Sequence, residues 1–156
     1  VGPACRVMAT TRVTVPRRKD AAGALRTVTV PDHIDIVADL ACSAAASMRF
    51  SAVTGAVERA EIYLFGTAGT LRFDGTSGTL YGARRGEPAL QPLEIPEALR
   101  EGWRVEQEFV NAIRGLEPVR RTRFEDGVRY MEFTEAVARS AGSHTAVALP
   151  LDGSGY

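Results

Sequence analysis

Few residues in this chain carry chemistry beyond packing, and the spacing of some draws them together. His33 and Asp35 lie two apart in the alternating stretch His33 to Leu40, so a strand there presents both on one face. A second alternating stretch runs from Ala44 to Val53. If Ala41, Cys42 and Ser43 close a hairpin between the two, Ile36 faces Met48, Ile34 faces Phe50 and Asp35 faces Arg49. Arg6 and Arg12 belong to an earlier alternating stretch, Cys5 to Val15, and join the cluster if that strand lies alongside. An imidazole beside a carboxylate can move or orient a proton, and guanidinium groups can hold an anion. The same residues can equally be cross-strand charge pairs that balance a polar sheet face. A third reading is a subunit contact, or a wall of a substrate pocket. Met8, Val37 and Val53 lie among these charges, which suits a partner surface better than a catalytic dyad. The chain is therefore expected to form a homo-oligomer through this face, with His33, Asp35, Arg49 and Arg12 as interface or pocket candidates.

Other chemistry-bearing residues read as ordinary structure. Cys5 and Cys42 are expected to be buried, reduced thiols; no Cys-x-x-Cys or His/Cys cluster suggests a metal. Arg17-Arg18-Lys19 and Arg120-Arg121-x-Arg123 read as solvated loops rather than phosphate sites. Glu97, Glu101, Glu106 and Glu108 read as an exposed acidic side without a placed acid/base pair. Trp103 and Tyr130 are expected in the core or in helix packing. No catalytic, cofactor-binding or metal-ligating residue emerges.

The 19 basic and 19 acidic residues balance, which gives no electrostatic reason to expect nucleic acid or an anionic membrane as partner. No signal peptide or long apolar span is recognisable, and the expected location is the cytoplasm. At 156 residues, with 45% hydrophobic content, the chain fits a single domain over 1–156 that needs no disulfide or metal to fold.

Alternation predicts a first strand ending before Pro16, an exposed loop from Arg17 to Gly23, and a short strand over Thr27 to Val30. Further strands are predicted over Glu61–Phe65, Thr70–Asp74, Thr79–Arg84 and Leu90–Ile95, separated by glycine-bearing turns. The period then changes to that of helices. One helix between Trp103 and Arg114 carries the stripe Val105, Phe109, Ala112 and Ile113. A second opens on the capping box Thr122-Arg123-Phe124-Glu125 and presents Gly127, Tyr130, Met131, Thr134, Val137, Ala138 and Ala141. Ala146 to Leu149 is a last strand, and Asp152 to Tyr156 a loose tail. Strands followed by helices define an α+β class. The expected architecture is one large, mostly antiparallel sheet with both helices on one face and the other face open.

The run Glu61-Ile62-Tyr63-Leu64-Phe65-Gly66-Thr67-Ala68-Gly69-Thr70-Leu71-Arg72-Phe73 resembles the Gly-Thr-x-Gly-Thr-Leu hairpin of the glucose–fructose oxidoreductase/inositol dehydrogenase (Gfo/Idh/MocA) family. Glu108 to Gly115 resembles that family's helix with its Ile-x-Gly stop. Pro118-Val119, Phe124-Glu125-Asp126-Gly127, Ala136 to Ala141 and Val147-Ala148-Leu149-Pro150 follow in the family's order. The resemblance covers only the C-terminal portion of a member. It implies an NAD- or NADP-dependent dehydrogenase of sugar- or polyol-like substrates. A Rossmann domain of the same polypeptide would then hold the cofactor, and this chain would supply the substrate-side cleft and the oligomer interface. The Gly-x-Gly-x-x-Gly fingerprint of the nucleotide site does not occur here. The family's Glu-Lys-Pro motif has no counterpart around Lys19. Its paired Asp and His, four residues apart, have none either, since Thr29 and Ser140 precede His33 and His144 at that distance. The chain alone is thus expected to bind no cofactor and to be inactive. The alternative is a non-enzymatic binding or dimerisation module.

Overall fold

A computed structural model describes residues 2–100, 102–120 and 123–151. The chain is α+β with antiparallel ladders, as expected. Its strands fall into two four-stranded sheets and a two-stranded ribbon, where the sequence suggested one broad layer. Two compact units result: Val1–Val53 with Glu108–Tyr156, and Thr54–Gln107.

In the first unit, β1 (Ala4–Arg12) pairs with β4 (His33–Leu40), and β4 pairs with β5 (Ala45–Ser51). The β4–β5 register is the expected one: Ile34↔Phe50, Asp35↔Arg49 and Ile36↔Met48. Ser43, at φ +64°, turns the chain, and the Ser43 amide donates to the Leu40 carbonyl at 2.9 Å. Period-two alternation then sends Val7, Ala9, Ile36 and Ala38 into the core. The ribbon of β2 (Arg17–Lys19) and β3 (Leu25–Thr27) replaces the loop predicted from Arg17 to Gly23, and its returning strand ends where the predicted Thr27–Val30 strand was to begin. Asp20 makes that hairpin by accepting the amides of Ala22 and Ala24 at 3.0 and 2.9 Å.

The β6–β9 sheet forms the second unit. β6 (Glu61–Gly66), β7 (Gly69–Asp74) and β8 (Thr79–Arg84) form a meander, with β9 (Gln91–Pro92) a two-residue edge instead of the longer strand expected. Gly66 pairs with Gly69 across the turn. A Cβ at Gly69 would stand 2.2 Å from the Ala83 carbonyl oxygen, so the strands approach this closely only because the position lacks a side chain.

α1 (Val105–Ile113) has the predicted extent, but of its predicted stripe only Ala112 is sheltered. Phe109 and Ile113 are exposed, whereas Arg104, Glu108, Asn111 and Ala112 are the sheltered positions. Glu108 is 6% exposed, which removes it from the acidic side. Glu101 lies outside the described residues. Trp103 is 80% exposed, not core, and its indole N–H donates to Glu106 at 2.9 Å.

α2 (Phe124–Ser143) packs on β1 and β10 (Val147–Ala148). Its buried residues are Ala136, Val137 and Ser140, with Phe133 and Ala141 partly covered. Val137 and Ala141 match the predicted face, but Tyr130 and Met131 are exposed. Close approach to a sheet needs small side chains, and a pattern weighted by hydrophobicity alone places the larger ones inside. The helix begins at Phe124. Asp126, not Glu125, accepts the Arg123 amide at 3.1 Å, placing a carboxylate where the helix dipole favours one. Thr122 and Arg121 lie outside the described residues, as does the Asp152–Tyr156 tail.

Candidate functional site

The face of β1–β4–β5 turned away from α2 brings His33, Asp35 and Arg49 into one chain of contacts. Arg49 Nε donates to Asp35 Oδ1 at 2.7 Å, and His33 Nε2 lies 2.9 Å from Asp35 Oδ2. The Arg49 guanidinium first, and His33 second, hold the Asp35 carboxyl below its ordinary range. Arg12 is the cross-strand neighbour of His33, but its Nη1 donates to the Thr11 carbonyl at 2.8 Å rather than joining the cluster. Arg6 makes its own pair, Nε donating to Asp39 Oδ2 at 2.7 Å. Between the two ion pairs lie Met8 and Val37, 45% and 54% exposed and in register with each other.

Asp35 meets Arg49 and His33 through separate oxygens, so this carboxylate can orient both neighbours.

Other residues with possible roles are not where the sequence suggested. Cys5 and Cys42 are both exposed. Cys42 sits in the β4–β5 turn, where a side chain has no core to enter. Hydrogen bonding from the Gly2 and Ala44 backbone lowers its thiol pKa. Lys19 lies in β2 rather than a loop. Asp32 escaped notice: its carboxylate accepts the Thr14 and Val15 amides at 2.8 and 2.9 Å, fixing the exit of β1. An Asx residue before a strand was the available signal.

In the second unit, a face unremarked in the sequence carries Glu61, Tyr63, Arg72 and Tyr81. The Arg72 guanidinium lies 4.1 Å from the Tyr81 ring centroid, and its Nη1 is 3.6 Å from Glu61 Oε1. Extending the Gly66–Gly69 turn outward pairs Tyr63 with Arg72, and this register was the signal that could have revealed the cluster. An open groove of about 790 Å³ borders the same turn, between Thr67, Leu71, Gln91 and Leu93. Gly66, Gly69, Gly75, Gly78 and Gly82 all belong to this meander, so none opens a helix as a pyrophosphate site requires. Among the described residues, no three or more His, Cys, Asp or Glu side chains gather as a metal site would require, and no helix is long and apolar enough to cross a membrane.

No family model and no curated protein sequence matches the chain. Solved structures do match in fold. A levoglucosan dehydrogenase in complex with NADH and L-sorbose superposes with a TM-score of 0.78 at 21% identity, over 96% of this chain and 46% of that one. An NAD binding oxidoreductase from Klebsiella pneumoniae gives 0.76 at 19% identity, again over 96% and 46%. A super-repressor mutant of Gal80p from Saccharomyces cerevisiae gives 0.71 at 14% identity, over 94% and 44%. The fold is therefore one found within NAD-binding oxidoreductases, and the chain spans less than half the length of these solved proteins.

Proposed function

We propose that the chain is the substrate-side and oligomerisation portion of an NAD- or NADP-dependent dehydrogenase of the Gfo/Idh/MocA family, acting on a sugar- or polyol-like substrate. The observation that carries this reading is the superposition of nearly the whole chain on part of a levoglucosan dehydrogenase. The ordered motifs from Glu61 to Pro150 agree with it. In this reading hydride transfer belongs to a Rossmann domain of the same polypeptide, the protein works in the cytoplasm, and the charged face of β1–β4–β5 joins copies of the chain.

The test begins with the coding sequence upstream of Val1, where a strand, a Gly-x-Gly-x-x-Gly turn and a helix are expected. The full-length product should then reduce NAD or NADP with members of a sugar and polyol panel. The isolated chain should show no turnover and no rise in melting temperature with either nucleotide, because only binding to the folded state stabilises it. A full-length protein lacking the fingerprint, or a stabilised isolated chain, would overturn the assignment.

A second reading is a binding or dimerisation module without catalysis; a super-repressor mutant of Gal80p shares the fold. Under it, the full-length protein would self-associate yet turn over nothing in the same panel.

A further inference from the structure

We draw no further inference here: the strongest candidate, the exposed apolar face of the β6–β7–β8 meander formed by Ile62, Leu64, Leu71 and Phe73, is an unpartnered surface, and nothing in the structure shows what covers it.

Discussion

The hydroxyl of Ser140, on α2, accepts the backbone N–H of Ala9, on β1, at 2.9 Å, across 131 residues of sequence. The same oxygen donates to the Thr145 carbonyl at 2.7 Å. β10 pairs with β1 only at Arg6 and Val7, so the serine satisfies an amide that the short edge strand leaves behind. Ser140→Ala would bury that amide unpaired and should destabilise the chain by about 1–3 kcal/mol. Urea denaturation reads this directly; an unchanged midpoint would show that water replaces the hydroxyl.

A second expectation concerns the charged face. Val37→Asp changes an exposed residue, so folding stability should fall only by about 1 kcal/mol, the span of strand propensities. If this face joins copies, sedimentation at tens of micromolar should show the parent chain associated and the variant monomeric. A variant that associates as the parent does would place the interface elsewhere.

Asp35 sets a pH dependence whose sign follows from its environment. Its folded pKa lies below the ordinary 3.8, chiefly through Arg49 and then His33. The carboxylate therefore adds stability above the unfolded value and loses it as pH falls through the folded one. Stability curves of the parent and Asp35→Asn should lie furthest apart near neutral pH and converge below about 3.9. A separation that persisted into strong acid would mean that the aspartate acts by shape rather than charge.

Both cysteines are exposed; the Cys5 thiol donates to the Asp39 carbonyl at 3.3 Å, whereas the Gly2 backbone first and then Ala44 lower the Cys42 thiol pKa. Limited alkylation with iodoacetamide just below neutral pH should label Cys42 ahead of Cys5, as read by peptide mass spectrometry. Equal labelling would remove the role assigned to the turn amides.

Gly69 tests the meander. In Gly69→Ala, the new methyl must displace the Ala83 carbonyl, and such overpacking costs about 1–3 kcal/mol or more. Amide exchange along β7 and β8 should quicken while β1 and β4 keep their protection. Unchanged exchange in β7 would show that the turn opens without strain.

Local periodicity was enough to place most strands, both helices and the Asp35–Arg49 pairing. A period of two and a three-residue closure leave few registers that keep Ile34, Ile36, Met48 and Phe50 on one side. The grouping of His33 with Asp35 and Arg49 followed from that register alone. Arg12 shows its limit: the sequence places a residue beside a cluster but does not say where a long, flexible side chain ends.

Taken alone, the amino-acid order determined the α+β class, the β4–β5 hairpin, the β6–β7–β8 turns and the cluster on one sheet face, because steric alternation and turn closure act between near neighbours. Tertiary structure decided that α1 turns Phe109 and Ile113 outward, that Ser140 rather than Tyr130 meets the sheet, and that Cys42 is open to solvent. Those outcomes depend on which surfaces fit one another in size and on amides far away in the chain. The sequence spacing around each residue does not encode that fit.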